Sequence, residues 1–157
     1  MDIPTGGAEG VLLSQGANTS GFSLYLKDGK LHYAHNYVGR AVYTASSQEP
    51  VPEGRHTLRF EFEPTDKPDI AQGKGAPGRA QLYIDGKLVG ETDMPVTTPI
   101  AFNPGGMTCG ANPSSPVTPD YQSPFRFTGT LHSVTVDVSG ELIVDTDSEM
   151  RMALSRQ

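Results

Sequence analysis

The sequence has no tryptophan and only one cysteine, Cys109, among 157 residues. A single cysteine cannot form an internal disulfide, so nothing here requires an oxidising compartment. No apolar run approaches the roughly 20 residues of a membrane-spanning helix, and the first seven residues lack the charged start and apolar middle of a secretion signal. These absences leave the compartment open and predict that the chain does not cross a membrane.

Basic residues are also scarce. Twelve Lys and Arg against eighteen Asp and Glu give a formal net charge of −6, and the basic residues form no cluster or stripe. A protein that follows a phosphate backbone or an anionic membrane needs such a cluster. We therefore expect neither nucleic acid nor a membrane surface as a partner.

Glycine and proline are plentiful, at 18 and 13 residues, against 36% hydrophobic residues. This composition favours many short elements joined by turns, and no window shows a sustained helical period. The length fits one domain over 1–157 with a single core. Residues 1–9 are a Gly-rich lead-in, and 139–157 form a tail, with Leu142–Val144 as a short pairing segment and a short helix capped by Asp147 or Ser148.

The strongest local signal is a hairpin centred on Asp28-Gly29, a dipeptide that supplies the positive φ angles of a two-residue turn. With that turn, Leu26 pairs with Leu31 and Tyr25 with His32. One face then carries Phe22, Leu24, Leu26, Leu31, Tyr33 and His35, and the other carries Ser23, Tyr25, Lys27, His32, Ala34 and Asn36. We expect the first face to lie in the hydrophobic core. The second face, which mixes aromatic and polar side chains, either faces water, binds a ligand or packs against another part of the protein or a partner.

Further strands follow from alternation and turn residues. They are predicted at Gly10–Gly16, Ala41–Ala45, Arg55–Glu63, on both sides of a second Asp-Gly turn within Arg79–Glu91, at Met94–Pro99, near Met107 and at Thr130–Val138. The last of these is expected to close the core, and 64–78 is expected to be a long exposed loop. Short strands about ten residues apart indicate a two-sheet antiparallel sandwich or a closed barrel, and we interpret them as the sandwich.

Five consecutive segments carry a family resemblance: GGAEGVLLSQG, GFSLYLKDGKLHYAHNYVG, EGRHTLRFEFE, LYIDGKLVGE and TPDYQSPFRFTGTLHSVTVDV. In this order they resemble the C-terminal domain of bacterial arylsulfatases, over roughly residues 6–138. The resemblance implies a concanavalin-like or laminin G-like jelly roll attached behind a catalytic α/β domain.

The resemblance does not extend to the residues that catalyse sulfate ester hydrolysis in sulfatases. That chemistry needs a Cys or Ser in a C-x-P-x-R type motif together with Asp and Asn metal ligands. The sequence after Cys109 continues Gly-Ala-Asn-Pro, so the arginine at the last position of the motif is absent. We therefore expect no catalysis from this chain alone, and we interpret Cys109 as a small buried residue.

Glu61 and Glu63 are the one carboxylate pair that suggests a glycosidase. Retaining enzymes need carboxyl groups about 5 to 5.5 Å apart with one pKa raised, and same-face strand neighbours are roughly 6.5 to 7 Å apart. The alternative is a solvated strand face, which alternating glutamates often form. We favour the solvated face.

His32 and His35 are expected on opposite faces of the strand, which argues against a metal bound by both. His56 and His132 are assigned no role.

Tyr25, His32 and Asn36 are the candidate ligand-binding residues, because an aromatic platform beside hydrogen-bonding groups is typical of sugar recognition. The alternative is that this face packs against a sheet or a partner domain.

Asn112 and Asp120 are the candidate metal ligands, in a tract that resembles a rim loop of the family. Calcium prefers 6 to 8 oxygen ligands, and these two side chains supply only part of such a set. A structural loop is therefore the default there.

These observations predict a non-catalytic accessory domain of an arylsulfatase-like protein, or a free-standing relative, that acts by packing against a sulfatase catalytic domain or another protein surface. A lectin-like carbohydrate-binding module is the alternative, and a glycosidase using Glu61 and Glu63 is the third. No cofactor other than calcium is expected, and homo-oligomerisation is left open.

Overall fold

The computed structural model describes residues 1–99 and 106–138. Within these ranges the regular structure is antiparallel strand with a single 3-10 turn at Ile70–Gln72. The strands are β1 Asp2–Ile3, β2 Gly10–Ala17, β3 Ser20–Lys27, β4 Lys30–Tyr37, β5 Ala41–Ser46, β6 Gly54–Arg55, β7 Leu58–Pro64, β8 Gly78–Ile84, β9 Lys87–Met94 and β10 Met107–Cys109. In the same ranges no helix has the length and apolar character that a bilayer crossing requires. The all-β prediction is confirmed.

Two sheets form the sandwich, in the orders β10-β2-β3-β4-β5 and β7-β8-β9, and β1 pairs separately with β6. The predicted central hairpin is confirmed residue by residue, with Leu26 opposite Leu31 and Tyr25 opposite His32. Both Asp-Gly turns have the expected positive φ, 50° at Asp28 and 50° at Asp85. A two-residue turn whose backbone twist matches the flanking strands sets the register of each hairpin.

The main core lies between the two sheets and contains the inward residues of both hairpins. Its buried members are Ile3, Ala8, Leu12, Leu26, Leu31, Tyr33, Ala45, Val51, Ala80, Leu82, Ile84, Val89 and Met94. The register shifts between Val11 and Leu13, which makes Leu12 the extra residue of β2, and the consecutive residues Leu12 and Leu13 both lie on the side of the main core, opposite Val11. Such a bulge inserts one extra residue into one strand and changes which face its neighbours occupy.

Several sequence-based predictions are corrected by the structure. Residues 95–99 continue past β9 as a loop, because Pro95 and Pro99 cannot donate to a ladder, and only Thr97 makes a bridge, with Gly75. Residues 131–138 form no strand despite their alternation, and Val138 is 86% exposed. The strand near Met107 is confirmed as β10.

Cys109 is exposed, so its prediction as a buried residue is wrong. On β10 the hydroxyl of the middle residue, Thr108, lies 2.9 Å from that of Ser14, so Met107 and Cys109 share the other face of the strand, where Cys109 stays exposed. The predicted pairing of Leu142–Val144, the helix cap at Asp147 or Ser148 and the tail over 139–157 lie outside the described residues.

Candidate functional site

A groove of about 1090 Å³ opens between the two sheets along one side of the sandwich. We call it the open groove. Its apolar lining includes Leu13, Phe22, Leu24, Phe60, Phe62 and Met107. Leu131 and residues 133–137 also line it. Phe22, Leu24, Phe60 and Phe62 are only partly buried although they pack on the main core. The groove therefore exposes apolar surface that a closed sandwich would bury.

The opposite side of the sandwich is closed by contacts between β5 and β9. The Gln48 N–H donates to the Val89 carbonyl at 2.8 Å just beyond β5, and the Thr92 hydroxyl donates to the Thr44 carbonyl at 3.2 Å. Gly90 lies so close to the Ser46 carbonyl oxygen that a Cβ there would meet it at 2.2 Å. The sheets are thus joined along one edge and separate toward β7, which explains where the groove forms.

An aromatic pair spans the two sheets at the groove. The rings of Tyr33 on β4 and Phe60 on β7 stack with centroids 3.7 Å apart and an interplanar angle of 11°, and Phe22 stacks on Tyr33 at 6.1 Å. Burial raises the pKa of the Tyr33 hydroxyl. This stack holds the base of the groove, and the edge of β7 remains beside it.

The face predicted to bind a ligand is covered by the chain itself. Tyr25 is fully buried and contacts Tyr121 and Phe125, whose rings lie at 5.1 and 6.4 Å from it. Its hydroxyl donates to Asp120 Oδ2 at 2.7 Å, and burial followed by this bond raises the pKa of Tyr25. His32 stacks on the same ring at 5.1 Å. The ring of Tyr25 is therefore occupied by protein contacts on this face.

Asn36, the third candidate ligand residue, is buried and fully engaged. Its amide nitrogen donates to the carbonyls of Asn18 at 2.9 Å and Val117 at 2.8 Å, and its Oδ1 accepts from the Gly39 N–H at 2.8 Å. These three bonds tie the β4–β5 turn to two loops. Of the three candidates, Tyr25 and His32 are brought together, and Asn36 acts as a loop anchor.

The two candidate metal ligands also have protein partners. Asn112 is buried and donates from Nδ2 to the Tyr121 hydroxyl at 3.0 Å, which donates in turn to Ser23. Asp120 accepts from Tyr25 on Oδ2 and from Lys27 Nζ on Oδ1 at 3.0 Å. A cation at Asp120 would have to compete with the Lys27 ammonium. Among residues 1–99 and 106–138, no group of three His, Cys, Asp or Glu has metal-site geometry.

Glu61 and Glu63 lie on the outward face of β7. Arg59 Nη1 donates to Glu61 Oε1 at 2.6 Å, and the Arg59 guanidinium lies 4.1 Å above the Tyr83 ring. Glu63 is exposed. This arrangement has the features of the solvated strand face, in which alternating charges pair across and along strands.

The remaining histidines serve three separate contacts. His35 is buried, and its Nε2 accepts the Thr98 N–H at 2.9 Å, while burial lowers its pKa to about 4. His56 Nδ1 lies 2.7 Å from Asp85 Oδ2, and this bond raises the pKa of His56. Arg55, and to a lesser extent His132, donate to the Asp2 carboxylate and lower its pKa to about 2.

The sequence reasoning missed the open groove, and it missed the role of Tyr121 and Phe125 as the cover of the second hairpin face. The sequence around them predicts a loop, because its prolines and polar residues show neither the alternation of a strand nor the period of a helix. The one available signal was the presence of two aromatic residues, close after Val117, in a tract otherwise rich in proline and polar residues.

Comparisons with profiles of protein families, with curated proteins and with solved structures return no match for this chain. The resemblance to the C-terminal domain of arylsulfatases therefore stays a prediction from the sequence.

Proposed function

We propose that this chain is a non-catalytic β-sandwich module that acts by packing against another protein. The observation that supports this proposal is the open groove, in which partly exposed aromatic residues lie beside the edge of β7, a strand that pairs only with β8 among residues 1–99 and 106–138. Continuous apolar surface of this kind is typical of protein contact sites.

The sequence resemblance gives the proposal its specific form. In an arylsulfatase-like protein the surface to be contacted is the catalytic domain, and the module has the jelly-roll arrangement of the family. A free-standing relative would contact the same kind of domain in trans. The sulfatase nucleophile motif is missing from the sequence, so the module contributes shape and contact area rather than chemistry.

The test uses two matched exposed apolar residues. Met107, 46% exposed, lines the open groove, and Leu88, 43% exposed, lies outside it on β9. Isothermal titration with a bacterial arylsulfatase catalytic domain that lacks its own C-terminal domain should show binding. We expect Met107→Glu to weaken that binding at least tenfold, and Leu88→Glu to leave it unchanged. No binding by the unaltered chain, or equal losses in both variants, would refute the proposal.

The carbohydrate-binding alternative is tested on a glycan array with and without calcium. Because the Tyr25 ring lies under Tyr121 and Phe125, a sugar would have to displace the cover before it could stack on that ring. Reproducible binding that Tyr25→Ala abolishes while the variant remains folded would replace the packing proposal with a lectin. The glycosidase alternative predicts hydrolysis that Glu61→Gln abolishes.

A further inference from the structure

Three neighbouring strands of the larger sheet align Tyr25, His32 and Ser46 in one row, on the face opposite the main core. His32 on β4 pairs with Tyr25 on β3 and with Ser46 on β5. Directly opposite residues of paired strands place their side chains on the same face. Tyr25 is fully buried, His32 is half-buried and Ser46 is exposed. The row therefore runs from the buried Tyr25 ring to the exposed face of β5.

A serine hydroxyl and an imidazole nitrogen lie in hydrogen-bond contact at the exposed end of this row. Ser46 Oγ is 2.8 Å from His32 Nδ1. The other ring nitrogen, His32 Nε2, is 3.2 Å from the carbonyl oxygen of Lys27. A carbonyl oxygen only accepts hydrogen bonds, so the neutral ring carries its proton on Nε2. Nδ1 then has a free lone pair, and the Ser46 hydroxyl donates to it.

The imidazole is held in this orientation by its other neighbours. Its ring stacks on Tyr25 with centroids 5.1 Å apart and an interplanar angle of 20°. The Tyr25 hydroxyl donates to Asp120 Oδ2 at 2.7 Å, and Lys27 Nζ lies 3.0 Å from Oδ1 of the same carboxylate. Lys30 precedes His32 by two residues and lies on the same face of β4. A base oriented by a third group, beside a hydroxyl, is the arrangement that activates serine nucleophiles.

The position of Ser46 on β5 is fixed from both sheets. The Leu31 N–H donates to the Ser47 hydroxyl at 3.1 Å, and the Ser47 N–H donates to the Leu31 carbonyl at 2.8 Å. From the other sheet, Gly90 approaches the Ser46 carbonyl oxygen so closely that a Cβ would not fit between them. A nucleophile on a fixed strand keeps its distance to the base.

We propose that Ser46 is a nucleophile that His32 activates and that accepts a small acyl group from an activated ester. Ser46 Oγ attacks the carbonyl carbon of the ester while its proton passes to His32 Nδ1. The bond from the carbonyl carbon to the leaving oxygen then breaks, and the leaving group takes the proton from His32. The products are O-acyl Ser46 and the free alcohol or phenol, with His32 neutral again. The inference goes beyond the packing function and does not depend on it, because it concerns one transfer per chain.

The experiment uses p-nitrophenyl acetate as the acyl donor and the full chain as the acceptor. Mass spectrometry of peptides from the labelled chain locates the acetyl groups. Neutral hydroxylamine removes an acetyl ester from serine and leaves an acetyl amide on lysine, which separates the two products. The rate of acetylation at Ser46 is measured for the unaltered chain and for His32→Gln.

The chain also offers a matched control on the same strand. Thr44 is exposed on the same face of β5, two residues before Ser46, and it lies opposite Ala34. The double variant Thr44→Ser with Ser46→Ala therefore presents one serine on this face with no imidazole opposite it. It also keeps His32 and its stack on Tyr25, so it tests the proposal even if His32→Gln does not fold.

We expect Ser46 of the unaltered chain to be acetylated. The rate at Ser46 should fall on the order of a hundredfold in His32→Gln, because a positioned general base contributes roughly that factor or more. The serine introduced at position 44 should react as slowly as Ser46 does in His32→Gln. Equal rates at Ser46 with and without His32, or a serine at position 44 that reacts as fast as Ser46, would overturn the proposal.

The pH dependence of the rate separates a base from a histidine that only supports the strand. Only the neutral imidazole accepts the serine proton. The acetylation rate at Ser46 should therefore rise with the neutral fraction of His32, which NMR measures in the same sample. A rate at Ser46 that does not follow the titration of His32 would overturn the proposal.

Discussion

Acid should destabilise this fold through His35, and the effect can be worked from its surroundings. His35 is 5% exposed, and its Nε2 accepts the backbone N–H of Thr98 at 2.9 Å. That bond requires an unprotonated Nε2, so the ring proton lies on Nδ1. The Thr98 hydroxyl also lies 3.2 Å from Nε2. Burial lowers the pKa of His35 from 6.5 to about 4 in the folded protein.

The sign of the pH dependence follows from this lowered pKa. Above pH 6.5 the ring is neutral in both states, and its full contribution to stability is present. Between pH 6.5 and about 4 the His35 ring is protonated in the unfolded chain but stays neutral in the folded chain. The free energy of unfolding therefore falls as pH falls. One pH unit is worth about 1.4 kcal/mol, so the complete loss is about 3 kcal/mol.

The assay is urea denaturation at several pH values from 4 to 7.5, for the unaltered chain and for His35→Gln. The glutamine keeps a hydrogen-bond acceptor but does not titrate, and carboxylates contribute equally to both proteins. We expect the pH slope of the unaltered chain to exceed that of the variant by nearly one proton between pH 5 and 6. Identical slopes, or an NMR titration of His35 near 6.5, would refute the reasoning.

Three other contacts give direct predictions. Tyr25→Phe should lower the free energy of unfolding by about 1 to 2 kcal/mol in urea denaturation, because it removes a hydrogen bond to the half-exposed Asp120 while keeping the ring. Asp85→Asn should lower the pKa of His56 in an NMR titration, since the carboxylate raises it in the fold; the associated stability is present below pH 6.5 and is lost as pH rises through the folded pKa. Cys109 should react with a thiol reagent in the native state about as fast as in the unfolded state, because it is exposed.

Each of these has its own control. Asp120→Ala combined with Tyr25→Phe should cost less than the sum of the two single changes, and full additivity would mean that the bond does not contribute. An unchanged His56 pKa in the Asp85 variant would remove that carboxylate as its cause. A Cys109 that reacts only after denaturation would contradict the orientation of β10.

The sequence by itself determined the local hairpins. Asp28-Gly29 and Asp85-Gly86 impose positive φ angles that few other pairs tolerate, and period-two alternation then assigns Leu24, Leu26, Phe60 and Phe62 to inward faces. These are interactions between near neighbours in the chain, and the sequence alone contains them.

Only the tertiary structure decided which faces are covered and which edges are paired. Tyr25 and Asp120 are 95 residues apart, so no local pattern shows that a loop buries the second hairpin face. Residues 131–138 alternate as a buried strand does, yet in the described part of the chain they form no strand. Pairing needs a neighbouring edge at the right distance and phase, and that depends on how the two sheets separate at the open groove.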